Sequence, residues 1–122
     1  MVELITGLPD HVVGFSVKGK VSHADYASVI IPEVEAHLAR HPRLRLLYQV
    51  GPEFAGFEAK AMWDDTKIGF GHLQAWERIA VVSDVDWLRN ATRLLGILIH
   101  GEVRVFNNTE FDAARSWVTA PN

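Results

Sequence analysis

Leu44-Arg45-Leu46-Leu47-Tyr48-Gln49-Val50 is a short, mostly apolar run that stops at Gly51-Pro52, and Ile79-Ala80-Val81-Val82 is a second run of the same kind. Runs this short, bounded by turn residues, suit interior strands of a parallel sheet whose two faces are both covered. Parallel neighbours need crossovers, and the flanking sequence supplies helical ones. Upstream, Val13, Phe15 and Val17 alternate with Gly14, Ser16 and Lys18 inside an extended segment from Val12 to Lys20. Leu4 to Thr6 precedes it across Gly7-Leu8-Pro9-Asp10, where glycine freedom and the locked proline φ reverse the chain. An antiparallel hairpin is expected there.

Ser22, with Asp25 three residues on, has the spacing of a reciprocal helix-start pair. Ala27, Ile30, Ile31, Val34 and Leu38 then recur at helical spacing as far as His41-Pro42, and Pro32 inside that run should disturb the helix locally. Ala59, Met62, Trp63, Thr66, Phe70 and Leu73 form the inward stripe of a predicted second helix, and Leu88, Ala91, Leu94, Leu95 and Leu98 that of a third, capped by Asp84 or Asp86. Glu102 to Phe106 reads as a last strand, and Asn108-Thr109-Glu110 opens a final helix turning Phe111, Ala114 and Trp117 or Val118 inward. The order β-β-α-β-α-β-α-β-α defines an α/β fold, a hairpin leading into alternating units with right-handed crossovers. Residues 1–122 are expected to form one domain.

At 122 residues and 48% hydrophobic content the chain should bury roughly two-thirds of its unfolded surface, so it needs no disulfide or metal staple. It has no cysteine, which excludes thiol nucleophiles and thiolate zinc sites. Twelve basic against fifteen acidic residues, net −3, argue against nucleic acid or a polybasic membrane patch as partner. The apolar run Leu94-Leu95-Gly96-Ile97-Leu98-Ile99 is far short of the roughly 20 residues that cross a bilayer. Met1 to Thr6 carries no basic-then-apolar leader pattern, so a cytoplasmic location is expected. Asn107-Asn108-Thr109 matches a glycosylation acceptor but reads better as a helix start.

The order of elements, the segments 61–70, Arg78-Ile79-Ala80-Val81-Val82-Ser83-Asp84 and Val103-Arg104-Val105-Phe106, and the closing Ala113-Ala114-Arg115-Ser116-Trp117 resemble the SpoIIAA-like family. The resemblance implies a STAS-type mixed sheet with no established catalytic activity, on a fold shared with anti-sigma-factor antagonists and CRAL-TRIO lipid carriers. Fold alone does not choose between those roles. In the antagonists a regulatory hydroxyl stands where the third strand meets the second helix. Here residues 50–60 hold no Ser, Thr or Tyr, which disfavours a phosphorylation switch at that place.

That same stretch sets Phe54 and Phe57 beside glycines and a proline in an expected surface connection. Phe57, Ala61 and Ile68 project away from the stripe of Trp63, Thr66 and Phe70, so the second helix is apolar on two sides. The two phenylalanines either fold back as a lid on the core or await a guest. The candidate ligand site is therefore Phe54, Phe57, Trp63, Ile68 and Phe70. His37 and His41 have metal-like i, i+4 spacing, but a cation near a helix C-terminus already accounts for them. Asp64 and Asp65, adjacent on a helix, point about 100° apart and cannot share a proton site. Ser83 has no glycine-flanked elbow, and no phosphate-binding glycine loop occurs.

The expected function is a non-catalytic binding module that carries or senses a nonpolar, lipid-like ligand, peripheral to a membrane, with no cofactor and no metal. The alternative is a protein-interaction or regulatory module acting through a homodimer or partner interface.

Overall fold

The computed structural model describes residues 2–57, 75–99 and 101–121. Five strands form one sheet in the order β1-β2-β3-β4-β5: β1 (Val2–Leu4), β2 (Val12–Val21), β3 (Leu44–Phe57), β4 (Trp76–Val82) and β5 (Glu102–Phe106). The predicted hairpin is present, with Leu4 opposite Phe15 in an antiparallel pair. The remaining pairs are parallel, and Val13, Leu46, Ile79 and Val103 line up across the sheet. The sheet is therefore mixed, as the patterning predicts. The second predicted helix, including Ala59 to Leu73, lies outside the described residues.

Alternation along the strands divides the core in two. Phe15, Val17, Tyr48, Val50 and Val81 face one cluster, which Tyr26, Ile30, Val34 and Ile99 close from the helices. Val12, Leu47, Ala80 and Val82 face a second cluster, closed by Ala114 and Val118. Helix α1 (His23–Asp25), the π-helical turn Tyr26–Ile30, α2 (Ile31–Leu38) and α3 (Asp86–Leu98) supply the first cover, and α4 (Phe111–Thr119) the second. The β2–β3 and β4–β5 crossovers thus lie on one face, as crossovers of one hand advancing in one direction must.

The helix starts follow their local chemistry. The Ser22 hydroxyl accepts from the Asp25 N–H at 3.2 Å while the Asp25 carboxylate accepts from the Ser22 N–H at 2.9 Å. Asn107 and Glu110 form the same reciprocal pair ahead of α4, placing the cap one residue before the expected Asn108. Pro32 makes its disturbance upstream: the backbone widens into the π-helical turn Tyr26–Ile30, and Pro32 falls in the first turn of α2, where no donor is needed.

Arg45 is a buried charged residue in the core, only 3% exposed. A bulge in β4 makes it possible, because Leu44 pairs with Trp76 and Arg45 with Arg78, leaving Glu77 as an extra residue. Arg45 Nε donates to the Glu77 carboxylate at 2.6 Å, and its Nη1 donates to the Val118 and Ala120 carbonyls. Arg78 donates to the Trp117 carbonyl at 2.8 Å. Two guanidinium groups thus meet the last carbonyls and the negative dipole end of α4. Replacing Arg45 with Met takes a charged partner from the Glu77 carboxylate and a donor from the Val118 and Ala120 carbonyls, so Arg45→Met should cost about 3–5 kcal/mol in urea unfolding, and adding Glu77→Leu should recover much of it. A single-variant loss below about 1 kcal/mol would show that the cluster does not anchor α4.

Candidate functional site

The structure revises the stretch that holds the first two candidate residues. Residues 51–57, expected as a surface connection, continue β3 to Phe57. Val17 pairs with Val50 and Gly19 with Phe54, so Gly51, Pro52 and Glu53 stand against Lys18 alone, and pairing then resumes as far as Val21 with Phe57. A wide bulge accommodates a proline that lacks a donor, and this is why the strand survives it. Gly19, at φ 62°, and Gly56, at φ 114°, take the backbone through conformations that residues with a side chain rarely adopt.

Phe54 consequently belongs to the strand. It lies on the side of β3 that carries Tyr48 and Val50, half-buried against the first cluster. Its ring packs on Trp87 at 6.3 Å between centroids, with the planes tilted by 40°. Trp87 itself is 47% exposed. Phe57 ends the strand beside Val21, whereas Trp63, Ile68 and Phe70 lie outside the described residues, as do Asp64 and Asp65.

Trp87 is the residue that sequence reasoning passed over, and α3 shows why. The expected inward stripe of α3 is rotated in the structure. Leu88, Thr92 and Ile99 turn to the sheet and Gly96 rests on Val103, while Ala91 is exposed and Leu94 and Ile97 are 66% and 79% exposed. The Thr92 hydroxyl donates to the Leu88 carbonyl at 2.8 Å, which lets it be buried without a distant partner. Trp87 and Leu94, seven residues apart, share one side of the helix, and Ile97 is one turn beyond Leu94. Exposed apolar side chains therefore recur along this side of α3, starting from Trp87 on Phe54, with exposed Asn90 between them.

The entrance to α3 is structural. Buried Ser83 Oγ accepts from the Val85 N–H at 3.0 Å, Asp84 accepts from the Asn108 N–H at 3.1 Å, and Arg89 donates to the Ser83 and Phe106 carbonyls at 2.7 and 3.1 Å. These contacts tie the ends of β4 and β5 together, so Ser83 and Asp84 are occupied in the loop, and Asp84 serves the Asn108 N–H where a cap on α3 is expected from the sequence.

The histidine pair is also absorbed by structure. His37 Nδ1 donates to the Asp10 carbonyl at 2.6 Å, and its Nε2 meets the Glu33 carboxylate at 2.8 Å. His41 Nε2 is 2.7 Å from the Asp10 carboxylate, which Arg40 grips with two donors at 2.9 and 3.1 Å. The two imidazoles therefore hold the hairpin turn to α2 and do not converge on a common point. No group of three or more His, Cys, Asp or Glu side chains suited to a metal occurs among the described residues. A cleft of about 280 Å³ lies beside this tie, between Leu4, Ile5, Leu8, Val12, Glu33 and His37, with its polar pair already mutually engaged.

A small mixed sheet has α4 on one face and the other described helices on the second. The chain belongs to the SpoIIAA-like family, whose model matches residues 12–119. It is similar to the crystal structure of an uncharacterized protein with a SpoIIAA-like fold from Shewanella loihica, with a TM-score of 0.73 and 25% identity, covering 97% of this chain and 92% of that one. Comparison with curated proteins gives no match.

Arg40 first, then His41, hold the Asp10 carboxyl well below the usual carboxylate range. A depressed acid stabilises the fold at pH above its unfolded pKa of about 3.9 and loses that contribution as pH falls toward its folded value. The stability gap between wild type and Asp10→Asn, read by urea unfolding, should be widest above about pH 5 and shrink steadily below about pH 4. A gap independent of pH would show that the turn is not held by this charge.

Proposed function

We propose that this chain is a non-catalytic binding module that carries or senses a nonpolar, lipid-like ligand and associates peripherally with a membrane surface. The observation that carries this reading is the exposure of Trp87, Leu94 and Ile97 along one side of α3, with Trp87 packed on Phe54. Exposed leucines occur singly on most proteins and need no explanation. Here a tryptophan, a leucine and an isoleucine follow one another along a single helix, joined to a half-buried phenylalanine at the end of a central strand.

Transfer of such side chains out of water supplies about 25 cal/mol per Å², without any covalent or metal chemistry. Phe57, Trp63, Ile68 and Phe70 complete the apolar lining in this reading, on the segment that follows Phe54. Trp87 suits a boundary between water and hydrocarbon, because its ring is apolar and its N–H can stay wet. Arg93 is exposed on the same helix, bonded only to Asn90 among the contacts described, and provides a cation for an anionic headgroup. No helix among the described residues is long and apolar enough to cross a membrane. Association would therefore rest on the helix surface.

Flotation with phosphatidylcholine–phosphatidylglycerol vesicles tests the reading. Wild type should float with the vesicles, and Leu94→Ser/Ile97→Ser, which alters only exposed side chains, should partition about tenfold less or weaker still. Wild type that stays at the bottom of the gradient overturns the lipid reading. If the double variant instead changes the sedimenting mass of the lipid-free protein, the surface belongs to a protein partner, as in the regulatory alternative.

A further inference from the structure

β5 is the end strand of the sheet and pairs only with β4 among the described residues. Its backbone orientation can be read from one contact: the Ser83 N–H donates to the Phe106 carbonyl at 2.9 Å, across from the Val82–Phe106 pair. In a parallel ladder a residue engaged in this way turns both its backbone groups toward its neighbour, and the next residue turns both away. Glu102, Arg104 and Phe106 thus bond inward to β4. Val103 and Val105 present their N–H and C=O groups to the open edge.

An open edge with free donors and acceptors is a template for another strand. Proteins often guard such edges with charge, and Glu102 and Arg104 are both exposed. Their signs are opposite, however, and this gives the edge a specific complement. A two-fold axis through Val103 runs a second β5 antiparallel to the first and sets Val103 against Val103 of the copy. That register requires Val103 to point its backbone groups outward, as it does. It also places Glu102 opposite Arg104 of the copy, and Arg104 opposite the copy's Glu102. Both are non-hydrogen-bonded positions, where opposing Cα atoms approach to about 4.5 Å and side chains meet most closely. Moving the axis to Val105, the next outward residue, sets Arg104 against Phe106 and loses both ion pairs.

Arg104 is also braced for this position. Its guanidinium lies 4.9 Å from the centroid of the Trp117 ring, on the face of the sheet covered by α4. We propose that the β5 edge is a self-recognition surface, on which a second copy of this chain adds its β5 in antiparallel register about Val103 to form one continuous sheet. The surface is separate from the apolar side of α3 and does not depend on the ligand reading.

Sedimentation velocity over a micromolar to submillimolar range tests the proposal. Wild type should reach the dimer mass. Glu102→Arg and Arg104→Glu should each weaken the dimer about tenfold or more, because each sets like charges against one another twice, and the combined Glu102→Arg/Arg104→Glu exchange should restore it. Val105→Pro removes an outward N–H that takes no part in the β4 ladder, so it should leave a folded monomer. If Arg104→Glu unfolds through loss of its seat on Trp117, Glu102→Arg and Val105→Pro decide the matter. A wild type that stays monomeric, single reversals that stay dimeric, or an exchange that fails to restore the dimer overturns the proposal. Loss of vesicle flotation in Leu94→Ser/Ile97→Ser with the dimer mass unchanged separates the two surfaces.

Discussion

Pairing between β2 and β3 does not end where the sequence turns irregular, and the functional account depends on this. Past Val17 and Val50 the ladder takes in Gly51, Pro52 and Glu53 against a single residue and then recovers as far as Val21 and Phe57. Had the strand stopped at Val50, Phe54 would have been free to fold anywhere. Because it resumes, Phe54 is fixed on the face of Tyr48 and Val50, where its ring meets Trp87 and joins the strand end to the helix. Two extra residues and a proline among the three are tolerated because a bulge needs fewer ladder bonds than a regular pair and because Gly19 and Gly56 supply the turning conformations.

Much of this architecture can be read from residues alone. Val13, Phe15 and Val17 alternate along β2 and are buried in the first cluster as that pattern requires, while buried Val12 and Gly14 show that its other face is covered as well. Ser22 and Asp25 cap each other, and the runs at Leu44 and Ile79 are parallel strands buried on both faces. The failures are local and physical. Gly51-Pro52 is a turn signal in any sequence, and only the partner strand shows that it is a bulge. The face of α3 is misread because hydrophobicity assigns Leu94 to the core, while the sheet selects the small residues. Gly96 sits close on Val103, and Thr92 bonds its own helix and is buried. Close approach through small residues rolls the helix, and Leu94 and Ile97 turn outward.

The candidate site was legible only at its centre. Phe54 stands out in the sequence for its odd company of glycines and proline, and the structure places it on a strand, packed on Trp87. Trp87 carried no comparable signal, since a tryptophan in a first helical turn reads as ordinary core. The residues that looked most like chemistry, Ser83, Asp84, His37 and His41, are occupied in joining loops to helices. Buried Arg45 was likewise hidden within an apolar run, and its role depends on an extra residue in the neighbouring strand that no pattern in its own segment reveals.

The most direct measurement is fluorine NMR of protein labelled with 5-fluorotryptophan and titrated with lipid vesicles or a short-chain lipid. The Trp87 resonance should shift and broaden as hydrocarbon covers its exposed edge, while that of Trp76, 3% exposed in the core, stays in place. A Trp87 signal unmoved at saturating lipid would contradict the account.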